Sequence, residues 1–76
     1  MSPKIPHIDS KKVIRVALKL GFEFDRKSGS HEVYYRKADK RRIVVQVHSG
    51  KNIKPKTLHG IIKDMGLEVE EFINLL

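Results

Sequence analysis

The chain has 76 residues, with 16 lysines and arginines against 9 aspartates and glutamates, and a formal net charge of +7. A chain this short is expected to form one domain over residues 1–76, with a thin core and no room for a deep substrate cavity. It contains no cysteine, which excludes a disulfide framework, a thiolate zinc site and a cysteine nucleophile. The excess positive charge favours a polyanionic partner, because neutralising phosphates releases their counterions.

The beginning of the chain lacks the apolar run of a signal peptide, and no segment approaches the length of a transmembrane helix. We therefore expect a cytoplasmic protein with no membrane contact. Pro3 and Pro6 predict an extended arm over residues 1–8.

A first helix is predicted over about residues 10–20. Asp9 or Ser10 can cap it by accepting a hydrogen bond from a backbone N–H of the first turn. Apolar residues then recur at helical spacing, beginning at Val13, with basic residues on the opposite side. Gly21 provides a left-handed stop.

Three strands are predicted next, over residues 22–26, 31–36 and 42–48. Turn signals at 28–30 and 38–40 separate them, and connections this short imply an antiparallel meander. Tyr34 and Tyr35 must point to opposite faces of the sheet. Which of the two faces outward stays open, because the second and third strands carry apolar residues on both parities.

A second helix is predicted to begin at Pro55, whose missing N–H costs nothing in a first turn, and to end at Gly66. Gly60 lies inside this helix and is expected to allow close packing. A short C-terminal helix follows. The predicted class is α+β, in the order α-β-β-β-α plus the final helix, with a three-stranded antiparallel sheet covered by helices on one face.

His31 is the first candidate for a chemical role. The four histidines match no metal-binding spacing, so no metal site and no cofactor are expected. His31 begins a strand directly after a turn, and imidazole titrates near neutral pH, which suits general acid or base work in RNA cleavage. The local sequence alone favours a structural explanation, in which His31 caps a turn or packs beside Tyr35. Secondary candidates are Ser30, in the same turn, and His48, which could transfer a proton or simply anchor its loop.

A set of basic and aromatic residues flanks His31 and could hold phosphates or stack on bases. Its members are Arg26, Lys27, Tyr35, Arg36, Lys37, Arg41 and Arg42. The alternative explanation is a solvated basic hairpin with an ordinary cross-strand aromatic pair.

Several short motifs follow one another in order across nearly the whole chain. They are Gly21-Phe22, Gly29-Ser30-His31 with Tyr34, Val45-Gln46-Val47-His48-Ser49-Gly50, and Lys54-Pro55-Lys56-Thr57-Leu58. Together they resemble the HicA toxin family, also called YcfA-like, of toxin–antitoxin systems. Two positions depart from the family pattern: Gln46 stands where proline is usual, and Lys56 where glycine is usual.

The resemblance implies a fold like that of double-stranded-RNA-binding domains and a metal-independent endoribonuclease that cleaves mRNA and halts growth. It implies a HicB-type antitoxin that binds the toxin and masks its site. It also makes His31 the expected catalytic residue. Two other hypotheses stay open: a non-catalytic RNA-binding module of the same fold, and a subunit whose basic surface binds an acidic partner protein.

Overall fold

The computed structural model describes residues 5–48 and 50–76. Its elements follow the predicted order: α1 Ser10–Lys19, β1 Glu23–Ser28, β2 His31–Arg36, β3 Arg41–Gln46, α2 Pro55–Asp64 and α3 Val69–Asn74. The α+β class and the antiparallel sheet, in the order β1-β2-β3, are thereby confirmed. Of the predicted arm, residues 1–4 lie outside the described residues. Residues 5–8 have no regular structure, although Ile8 is buried.

Both long helices end in the same way. Gly21 and Gly66 adopt positive φ angles of 91° and 84°, and each lies two residues after the last residue of its helix, α1 or α2. The residue after each glycine donates its N–H back to a carbonyl five residues earlier, from Phe22 to Ala17 and from Leu67 to Ile62. This paired closure satisfies carbonyls that would otherwise lack partners, and the positive φ favours glycine. At the start of α1, the Asp9 carboxylate accepts from the Lys12 N–H at 3.2 Å.

The sheet has one covered and one open face. Ile43 and Val45 of β3 and Tyr34 of β2 are buried toward the helices. Residues of the opposite parity form the open face. Their cross-strand partners make three rows, each with one residue from each strand. The rows, read from β1 to β3, are Ser28–His31–Gln46, Arg26–Val33–Val44 and Glu23–Tyr35–Arg42.

The predicted bounds of the first and third strands, 22–26 and 42–48, were wrong by one or two residues at both ends. β1 begins at Glu23 rather than Phe22, because the Phe22 N–H is used to close α1 and its side chain is buried. β3 ends at Gln46 rather than His48. The Val47 N–H still reaches the Ser30 carbonyl at 2.7 Å, but β2 begins at His31 and offers no pairing partner beyond that point.

The expectation that Gly60 allows close packing was also wrong. Gly60 is exposed, and a Cβ atom built on it meets open space. The packed side of α2 is formed instead by Leu58, Ile61 and Ile62. None of the helices within the described ranges is long and apolar enough to cross a bilayer.

Candidate functional site

His31 lies at the centre of the first row on the open face. A two-residue turn joins β1 to β2, and Gly29 takes the positive φ of 58° that this tight hairpin requires at its first turn residue. The turn places Ser28 directly opposite His31 on one side, while Gln46 stands opposite on the other. The His31 side chain is exposed, although two hydrogen-bonded neighbours hold its backbone. An imidazole held in this way can approach a large substrate that stays mostly outside the protein.

Three of the predicted phosphate-binding or base-stacking residues share the open face with His31. Arg26 lies in the second row, and Tyr35 and Arg42 are direct partners in the third. The Arg42 guanidinium carbon lies 5.9 Å from the centre of the Tyr35 ring, within the range of a cation–π contact. The structure thus resolves the choice between the tyrosines: Tyr35 faces outward and is half-buried, whereas Tyr34 faces the helices.

Tyr34 is held by contacts within the fold. Its ring packs edge-on against Phe24, with 5.7 Å between the centroids, and its hydroxyl donates to Glu32 Oε1 at 2.8 Å. Burial, with a smaller effect of the hydrogen bond to Glu32, raises the pKa of Tyr34 to about 12.

Arg36 is committed to the fold and lies on the covered face. Its Nη1 donates to the Leu20 carbonyl at the end of α1, and its Nη2 donates to the Met65 carbonyl at the end of α2. The guanidinium also stacks over Phe22, 4.6 Å from the ring centre. Its hydrogen bonds hold the pKa of Asp39 well below the usual range, at about 2. These partners occupy the guanidinium groups that a phosphate would otherwise contact, so Arg36 is held by the fold.

The remaining predicted cations lie away from the open face. Lys27 is the cross-strand partner of Glu32, one position from the Ser28–His31 pair, and therefore lies on the face of the sheet opposite to that of His31. Arg41 contacts Asp39 at 3.1 Å and reaches the Asp64 carbonyl at 3.5 Å. Lys37 lies in the turn before β3, at the end of the hairpin farthest from His31.

The secondary candidates lie close to the same turn. Ser30 is half-buried, and its carbonyl accepts the hydrogen bond from Val47. His48 is exposed just beyond β3, where it lines a groove with Gln46. No three histidine or carboxylate side chains in residues 5–48 and 50–76 come together as a metal site.

The sequence interpretation did not include Gln46, Lys51 or Lys54 among the candidates. All three line the groove at the end of β3. Gln46 was noticed only as a departure from a motif, because its position opposite His31 depends on the strand register. Lys51 and Lys54 lie between the third predicted strand and the second predicted helix, where the sequence interpretation placed no candidate site residue.

The fold and the site define a class: a small basic α+β domain with an exposed histidine on the uncovered face of a three-stranded sheet. The model of the HicA toxin family of bacterial toxin–antitoxin systems matches residues 10–67, about three quarters of the chain. The chain therefore belongs to the HicA toxin family. A comparison with the curated proteins finds no match. Family membership gives the protein the role of a toxin and pairs it with an antitoxin.

Proposed function

We propose that this toxin is an endoribonuclease that cleaves mRNA and uses His31 for proton transfer. The observation that carries the proposal is the position of His31, exposed in the central strand of the open face with Arg26, Tyr35 and Arg42 on the same surface. The covered face cannot serve in this way, because the helices pack on it.

The chemistry follows from the structure of RNA. The 2′-hydroxyl attacks the adjacent phosphorus, the bond to the 5′-oxygen breaks, and a 2′,3′-cyclic phosphate and a 5′-hydroxyl result. One group must take the proton from the 2′-hydroxyl, and another must give a proton to the leaving oxygen. His31 is proposed for one of these transfers, and water or His48 for the other. The guanidinium of Arg26, in the row next to His31, would stabilise charge on the phosphorane.

Tyr35 and Arg42 are proposed to hold the RNA strand beside His31. An aromatic ring with one face toward solvent can stack on a base, and a neighbouring guanidinium can contact phosphate or add a cation–π contribution. Tyr35 lies four residues along β2 from His31, about 13 Å at the usual rise of a strand. The two positions would therefore engage different nucleotides of one strand.

We further propose that a HicB-type antitoxin silences the toxin by covering the open face. The basic charge of the chain favours an acidic contact surface on that partner.

The direct test is cleavage of a purified RNA by the wild-type chain and by His31→Ala. We expect the variant to lose about 10²–10⁴-fold in rate, which is the usual contribution of a positioned acid or base. His59→Ala is the matched control, since His59 is exposed on α2, which packs against the covered face. Equal cleavage by wild type and His31→Ala would refute the assignment. RNA binding by a wild type that never cleaves would favour the non-catalytic module instead.

A further inference from the structure

A groove of about 380 Å³ lies between the end of β3 and the start of α2. Ile53 and the buried Ile61 form its apolar part. Gln46, Asn52 and Thr57 are the uncharged polar residues of its described lining. An apolar surface bordered by a few hydrogen-bonding groups is the usual composition of a small-ligand site, and the volume lies at the lower end of that class.

The loop that forms one wall of the groove is held against the N-terminal part of the chain. Asn52 pairs with Asp9 in an isolated antiparallel bridge, and the Ile53 N–H donates to the Ile8 carbonyl at 2.9 Å. Ile8 is itself buried in the core. This wall is therefore fixed by backbone hydrogen bonds, so the groove is formed before any ligand arrives.

The charge of the groove selects an anion. Lys51 and Lys54 both line it and are exposed, and its described lining contains no carboxylate. Amides, an apolar surface and two ammonium groups in one small concavity match the three parts of a nucleotide: the base edge, the base face and the phosphate.

Gln46 connects this groove to His31. The two residues are direct cross-strand partners, so their Cβ atoms start about 4.5–5.5 Å apart. Gln46 also lines the groove. A nucleotide in the groove would accordingly be the immediate neighbour, along one RNA strand, of the bond whose cleavage His31 assists by proton transfer.

We infer that the groove binds the nucleotide next to the cleaved bond and that Gln46 is a specificity-determining residue for its base. The glutamine amide offers both a donor and an acceptor, which lets it distinguish base edges. This inference rests on the proposed ribonuclease function for its biological meaning. The presence of the nucleotide site itself can be tested without any cleavage.

The first experiment is an NMR titration of the wild-type chain with the four nucleoside 5′-monophosphates, and separately with inorganic phosphate. We expect saturable shifts of the Gln46 and Asn52 side-chain amide signals and of the Ile53 and Ile61 methyl signals, larger for one or two bases than for the others. Shifts confined to the open face, or identical shifts with inorganic phosphate alone, would overturn the inference. It would be overturned equally if no nucleotide bound while an antitoxin shifted these signals.

The second experiment compares cleavage of an RNA pool with random sequence by wild type and Gln46→Ala. We expect preference at the nucleotide flanking the cut to fall by about 5–150-fold, the range for losing one bidentate base contact. Asn74→Ala is the matched control, because it removes an exposed amide at the end of α3, outside the groove lining. Unchanged preference in Gln46→Ala would contradict the inference. If the wild type fails to cleave at all, the proposed function falls, and the titration still decides the nucleotide site.

Discussion

Arg36 joins the ends of both long helices to the sheet, and removing its side chain should weaken the whole domain. One guanidinium reaches the Leu20 carbonyl at 3.1 Å and the Met65 carbonyl at 3.3 Å. These carbonyls lie at the negative ends of two helix dipoles, where a cation is favourable. Arg36→Ala would break both hydrogen bonds and expose the face of the Phe22 ring.

The expected loss can be built from these contacts. Two charged hydrogen bonds contribute about 1–1.5 kcal/mol each, below the usual range of about 1.5–3 kcal/mol because the position is partly exposed. The cation–π contact adds about 0.5–1 kcal/mol. The ion pair with Asp39 adds little, since that carboxylate is exposed to solvent. The sum is about 2.5–4 kcal/mol, which corresponds to a fall in Tm of about 10–30 °C for a domain of this size.

The assay is thermal and urea unfolding followed by far-ultraviolet circular dichroism. Arg36→Lys keeps the charge and the apolar stem, but one ammonium group cannot reach the two carbonyls and Asp39 together, so it should recover less than half of the loss. Arg42→Lys is the control on the open face and should stay within about 0.5 kcal/mol of wild type, as ordinary surface substitutions do.

Wild-type stability in both Arg36 variants would refute this account. If Arg36→Ala were as stable as wild type and bound RNA less tightly, Arg36 would belong to the RNA surface, as the sequence alone predicted.

Two further predictions concern single positions. Gly60→Ala should raise the free energy of unfolding by about 0.5–1 kcal/mol, since the new methyl group meets open space and alanine restricts the unfolded chain. A lower free energy of unfolding, measured by urea denaturation, would contradict the open surroundings of Gly60. Tyr34 should make the free energy of unfolding fall as the pH rises from about 10 to about 12. The pKa of its hydroxyl is 10.0 in the unfolded chain and about 12 in the folded one, so in that window only the unfolded state loses the hydroxyl proton. In Tyr34→Phe this part of the loss of stability at alkaline pH should disappear. The reasoning would be wrong if the free energy of unfolding fell equally with pH in both proteins across that window.

Local signals along the chain were sufficient to place the elements. Asp9, Gly21, Pro55 and Gly66 mark helix ends because their conformational and hydrogen-bonding preferences act within a few residues. The tight turn at Gly29 fixed the first hairpin for the same reason. These features predicted the α+β class and the order of the elements, and the motifs predicted the family.

Burial and strand pairing decided what local signals could not. The sequence left open which of Tyr34 and Tyr35 faces outward, because a shift of one residue in register exchanges the two faces of a strand. The same uncertainty hid the position of Gln46 beside His31, which the antiparallel pairing of β2 and β3 establishes.

Arg36 gives the clearest contrast between the two levels. In the sequence it is one of several cations beside Tyr35, and it was predicted to contact RNA. Its partners Leu20 and Met65 lie 16 and 29 residues away, so only the packed helix ends give it a structural role. His31, by contrast, was predicted from its own turn and motif, because a hairpin turn and the strand it opens are formed by neighbouring residues. The sequence by itself determined the elements, the family and the position of His31 at a turn. The tertiary structure decided which residues share its face, since that depends on pairing and burial between distant segments.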